Sequence, residues 1–90
     1  MANVIIKLKI MPAGVETDLK ALAGSIEKNI KKFGGMQISH VEEPVAFGLK
    51  AVIAGFSLDE AHELDPIEEA LRKIENVNSA EVSDMRRAFG

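Results

Sequence analysis

His40 and Glu42, two positions apart, are the first residues in this chain whose types could do acid-base chemistry together. On an extended backbone that spacing puts an imidazole and a carboxylate on one face, within reach of a shared proton. The same spacing describes any solvated strand face, and that is the preferred reading. His62 stands in the acidic stretch LDEAHEL, residues 58 to 64. A metal there would need several converging ligands, so a solvated loop is expected instead. Five serines lack His and Asp partners at a recognisable triad spacing. Cysteine is absent, which removes disulfides, thiolate catalysis and every cysteine-based zinc or iron-sulfur site. Gly34 and Gly35 follow a helical pattern instead of preceding one, and no GxxxxGKS or GxxxxGKT occurs, so they cap a helix and cradle no phosphate. The expectation is a protein with no catalytic residues, no metal and no cofactor, and therefore not an enzyme.

Composition narrows the remaining classes. Ninety residues with a 47% hydrophobic share predict one domain spanning 1–90, with enough apolar surface for a two-layer fold. The formal net charge of -3 repels nucleic acid, and four Phe with no Tyr or Trp supply a base-stacking platform poorly. No direct nucleic-acid partner is expected. Lysines interrupt the opening MANVIIKLKIMP after a very short apolar run, so it reads as neither a signal peptide nor a spanning helix. A cytoplasmic protein without membrane contact is the expectation. Charge is unevenly spread, +2 over residues 1 to 50 and -5 over residues 51 to 90, which points to a polarised surface facing a protein partner.

The elements that would position a functional surface are legible from periodicity. Asn3 to Met11 alternates, with Val4, Ile6, Leu8 and Ile10 on one face, which predicts a strand. Pro12 and Gly14 break it. Leu19, Leu22, Ala23, Ile26, Ile30 and Phe33 then recur at helical spacing, with Thr17 or Asp18 as cap and Gly34 as stop. Met36 to Val45 reads as a second strand, Met36 and Ile38 sharing a face, and Phe47 to Leu58 as a third. A second helix is expected with Asp65 as N-cap, Pro66 at its first position, Ile67, Ala70, Leu71 and Ile74 inward, and Asn76 at its end. Glu68 with Arg72 and Glu69 with Lys73 form four-residue pairs on its outer face. Ser79 to Arg87 supplies the last strand. This βαββαβ order predicts an α+β ferredoxin-like sandwich, a four-stranded antiparallel sheet of order 4-1-3-2 with both helices on one face.

Within that frame EEPVAFGLK, residues 42 to 50, joins the second and third strands and places Phe47 beside Gly48 at the turn. Turns normally carry small polar residues, so the ring is either tucked into the core or offered to a partner. The third strand is apolar on both faces, with Val52, Ala54 and Phe56 on one and Leu49, Ala51 and Ile53 on the other. A cover over the open sheet face and simple tolerance of exposed apolar residues are both compatible with this.

Three segments resemble a known family, the archaeal-type translation elongation factor 1-beta. The opening strand ending in KIMP is similar to the family's start, EEPVAFGLKA to its central hairpin, and NSAEVSDMRRAF to its final strand. Pro44, Phe47, Gly48 and Lys50 also match the related eukaryotic exchange domain. The resemblance implies a guanine nucleotide exchange factor for the GTPase elongation factor 1-alpha. It assigns partner contacts to Pro44, Phe47, Gly48 and Lys50 at the hairpin, and to Asp84, Arg86 and Arg87 in the C-terminal segment, near the GTPase's magnesium and phosphates. Eukaryotic relatives place a lysine near their extreme C-terminus; this chain ends Arg86, Arg87, Ala88, Phe89, Gly90, so an arginine would supply the cation. In this topology the hairpin and the C-terminus lie at opposite ends of strands spanning roughly 25 to 30 Å at about 3.3 Å per residue. That suits a module bridging two domains of a partner. The alternative is a small-ligand or assembly module using Ile5, Ala51 and Ile53 on the open face.

Overall fold

Alternation at Val4, Ile6, Leu8 and Ile10 builds one of the two central strands of the sheet. In the computed structural model, which describes residues 2–88, this strand is β1 (Asn3–Pro12), with Ile6, Leu8 and Ile10 fully buried. It is followed by α1 (Leu19–Lys32), β2 (Met36–Pro44), β3 (Lys50–Asp59), α2 (Asp65–Arg72) and β4 (Val77–Ala88). The four strands form one antiparallel sheet in the order β2-β3-β1-β4, the expected 4-1-3-2 read from the other edge. The fold is therefore the α+β ferredoxin-like sandwich. Among the described residues, no helix is long and apolar enough to cross a membrane.

Helix α1 begins where Asp18, and not Thr17, accepts hydrogen bonds from the backbone N–H groups of Lys20 (3.1 Å) and Ala21 (3.2 Å). It ends in a Schellman motif. Gly34, at φ +98°, lets its own N–H reach the Lys31 carbonyl and the Gly35 N–H reach that of Ile30. Leu22, Ile26 and Ile30 face the core, where Val52, Ala54, Phe56 and Leu58 of β3 meet Ile67 and Leu71 of α2. Each buried aliphatic side chain of this kind contributes about 1.5–3 kcal/mol of transfer free energy, which is what holds the helices to the sheet.

Several expected boundaries shift, each for a local reason. Helix α2 starts at Asp65 itself, because Leu64 takes a helical backbone and its carbonyl accepts from Ile67 and Glu68. Asp65 is thus inside the first turn and makes no side-chain cap, although a carboxylate there still complements the helix dipole. The helix stops at Arg72, short of Asn76, as the Ile74 N–H turns to the Leu71 carbonyl and Asn76 adopts φ +72°. Ile74 still packs against the core, from the turn. On the outer face of α2 the Arg72–Glu68 pair closes at 2.9 Å, whereas Glu69 and Lys73 are not among the ion pairs of the described residues. β2 ends at Pro44, one residue early, and carries a bulge between Met36 and Ser39, with Gln37 at φ +51°. The bulge puts Met36 opposite Ser57 and on the other face from Ile38. β3 starts at Lys50 and not at Phe47, since positive φ at both Phe47 and Gly48 is incompatible with extended backbone.

Register fixes the two ends of the molecule. Pro12 of β1 pairs with Val77, and Asn3 pairs with Ala88. Because β1 and β2 both run antiparallel to β3, the β2–β3 turn lies at the Pro12 end and the C-terminal end of β4 at the Asn3 end. The longest dimension is 41 Å, against 21 and 18 Å across.

Candidate partner-binding site

The β2–β3 turn is held by two backbone hydrogen bonds, Val45 N–H to the Leu49 carbonyl (2.8 Å) and Leu49 N–H to that of Ala46 (3.2 Å). Phe47 and Gly48 occupy its two central positions at φ +59° and +78°. Consecutive left-handed residues are what a type I′ hairpin turn requires, because its twist matches that of the flanking strands. Gly48 adopts this backbone without strain. For Phe47 the left-handed region costs roughly 1–2 kcal/mol, since its Cβ crowds the following carbonyl. The ring recovers nothing from the core in return, being 96% exposed. Of the two readings left open for Phe47, the buried one is thereby removed.

Neighbouring residues extend this surface. Pro44 closes the β2–β3 ladder opposite Lys50, and both are exposed. A proline fits there because β2 is an edge strand and its missing N–H faces solvent. The β1–α1 loop lies alongside: a Cβ on Gly48 would stand 3.8 Å from Cγ1 of Val15, which is itself 63% exposed. Val15 was not singled out in the sequence. An apolar residue between Gly14 and Glu16 in a loop was the available signal.

The opposite end carries the charged candidates, beside exposed Met85 and Ile5. Strand alternation puts Asp84 and Arg86 on one face, where they pair at 3.1 Å, and Arg87 on the other, where it reaches Glu60 of the β3–α2 loop at 2.6 Å. All three lie on the terminal half of β4, far from the hairpin. The resemblance also includes Phe89 and Gly90, which lie outside the described residues. The structure thus groups Pro44, Phe47, Gly48 and Lys50 at one end and Asp84, Arg86 and Arg87 at the other.

Other candidate residues find ordinary settings. His40 and Glu42 do share a face, opposite Ala54 and Val52, but both are exposed on the edge strand. His62 is exposed with its ring over Gly34, where an added Cβ would stand 2.8 Å from Nε2. No cluster of three or more His, Cys, Asp or Glu with metal-binding geometry occurs among the described residues. On the open sheet face Ile5 is 41% exposed, whereas Ala51 is completely buried, so the three-residue apolar surface expected there loses its member nearest the hairpin.

Residues 5–88 match the family described as the EF-1 guanine nucleotide exchange domain. The chain belongs to that family. Among its relatives, the elongation factor 1-beta of Methanosarcina barkeri is 41% identical over 88 residues, covering 97% of this chain and 99% of the relative. That of Methanococcus vannielii is 38% identical over 86 residues, 94% and 97% of the two chains. The match includes the hairpin, the loop carrying Val15 and all of β4 as described. In this exchange-domain chain the two ends named by resemblance lie at opposite ends of the sheet.

Proposed function

We propose that the chain promotes GDP release and GTP reloading on the GTPase elongation factor 1-alpha by docking on it with both ends. Phe47 anchors the hairpin in an apolar pocket of the partner, flanked by Pro44, Gly48, Lys50 and Val15. The C-terminal end, with Asp84, Arg86 and Arg87, meets the magnesium and phosphate region of the bound nucleotide. The observation that carries this reading is the exposed, left-handed Phe47: its conformation costs the free domain stability and presents an aromatic to solvent.

No bond is made or broken in such a mechanism. A protein that binds the GTPase better with its magnesium and switch segments displaced must, by linkage, weaken nucleotide affinity by the same factor. Arg86 and Arg87 are already neutralised by Asp84 and Glu60 in the free chain. Exchanging a carboxylate partner for phosphate oxygens keeps each guanidinium paired, while the released Asp84 and Glu60 carboxylates, both partly exposed, are taken up by water. A thousandfold faster release requires about 4 kcal/mol off the barrier. One buried aromatic anchor and a few charged contacts cover that range. The test is a chain lacking residues 86–90, which is expected to lower exchange more than binding. Equal losses in both, or in neither, would remove the C-terminal assignment.

A further inference from the structure

The helical layer carries a second surface that neither end of the sheet uses. Between α1 and α2 lies a groove of about 560 Å³. Its half-buried lining is Phe33, Pro66, Ala70 and Ile74 with one polar member, Asn29, and its exposed rim carries Lys32, Lys73 and Glu69. Lys28 and Lys31 extend the positive charge along the same half of α1, where Lys31 has a loose partner in Glu27 at 3.9 Å. Lys28, Lys32 and Lys73 take part in none of the ion pairs of the described residues, and Lys32 Nζ stands 5.7 Å from the centre of the Phe33 ring. A local excess of cations around an apolar trough, on a chain of net charge -3, is a specific arrangement and not the average of the surface.

We infer that this groove binds an acidic amphipathic segment of another protein, an apolar side chain seated on Phe33, Pro66, Ala70 and Ile74 with flanking carboxylates on Lys32 and Lys73. Charge selects the occupant. A nucleic-acid backbone would also seek lysines, but Glu69 lines the same groove and would face every phosphate drawn into it. A peptide can place its few carboxylates to avoid Glu69, whereas a polyphosphate cannot space its charges freely. A second copy of this chain is a poor occupant. Its acidic stretch, residues 58 to 64, has its leucines Leu58 and Leu64 packed in or against the core, so no apolar anchor is free. None of the groove's lining residues belongs to the hairpin turn or to β4, so this inference does not depend on the exchange reading.

The test uses a short fluorescein-labelled peptide with two leucines and a phenylalanine set among glutamates. Fluorescence anisotropy reads its binding, and amide chemical shifts of the full chain locate it. Binding is expected to shift Asn29, Phe33, Ala70 and Ile74, to weaken with added salt, and to persist in Phe47→Ala. The double variant Lys32→Glu with Lys73→Glu should bind at least about tenfold more weakly, equivalent to about 1.4 kcal/mol. Thermal unfolding confirms that the variant is folded, both lysines being exposed. Four binding results would overturn the inference: no saturable binding, equal binding of a peptide with lysines in place of its glutamates, tighter binding of a labelled oligouridylate, or shifts confined to the hairpin. Self-association lost in the double variant would equally overturn it, by making a second copy the occupant.

Discussion

Replacing Phe47 should weaken partner binding without destabilising the fold. The ring is 96% exposed, so truncation to Ala removes almost no intramolecular burial, and the melting temperature is expected to stay within a degree or so of wild type. Phe47→Gly goes further. It removes the left-handed penalty of roughly 1–2 kcal/mol, offset by about 0.5–1 kcal/mol of extra chain entropy in the unfolded state. The net gain of roughly 0–1.5 kcal/mol corresponds to a rise of at most about 12 °C for a domain of this size. Against elongation factor 1-alpha the sign reverses. Full burial of a phenylalanine contributes about 1.5–3 kcal/mol, so either variant should bind roughly ten- to a hundred-and-fifty-fold more weakly. Differential scanning calorimetry and isothermal titration calorimetry measure the two effects separately. Lower melting temperatures in both variants would mean that the ring supports the fold. Unchanged affinity would mean that the hairpin does not dock.

Other substitutions probe the scaffold and the far end. Gly24 lies mid-helix in α1 with nothing within 4 Å of an added Cβ, so Gly24→Ala should stabilise by about 0.5–1 kcal/mol in denaturant titration. Leu71, fully buried between α2 and the sheet, should cost about 2–5 kcal/mol on truncation to Ala, with a matching loss in urea midpoint. Gly35→Ala should destabilise by about 1–3 kcal/mol, because its Cβ would collide with Cγ2 of Ile30 and stand 3.0 Å from the Ile30 carbonyl oxygen. Breaking the exposed Arg87–Glu60 pair with Glu60→Gln should leave the melting temperature nearly unchanged, since surface pairs contribute about 0–1 kcal/mol.

What the sequence made legible follows from how locally each feature is encoded. Period-two alternation in β1 and period-3.6 spacing in α1 are repeated signals, and both elements stand within a residue of expectation. The order of the strands followed from handedness and connection rules, which depend on element order and not on fine boundaries. Errors fell where a single backbone angle decides. Leu64 turning helical moved the α2 cap, Asn76 at φ +72° marked a turn beyond a shortened helix, and the Gln37 bulge reversed the face of Met36. None of these leaves a periodic trace. The hairpin shows the same limit from the functional side. A Phe beside Gly48 marked the turn, but whether the ring was buried depended on φ at position 47, and Val15 reached the surface only through a loop that periodicity does not describe.

Stopped-flow release of a fluorescent GDP analogue from elongation factor 1-alpha addresses the proposed activity most directly. With magnesium and excess unlabelled GTP present, the release rate should rise with the concentration of this chain and then saturate, and Phe47→Ala should shift the curve to higher concentration without lowering its plateau. Release that stays at the spontaneous rate at every concentration would contradict it.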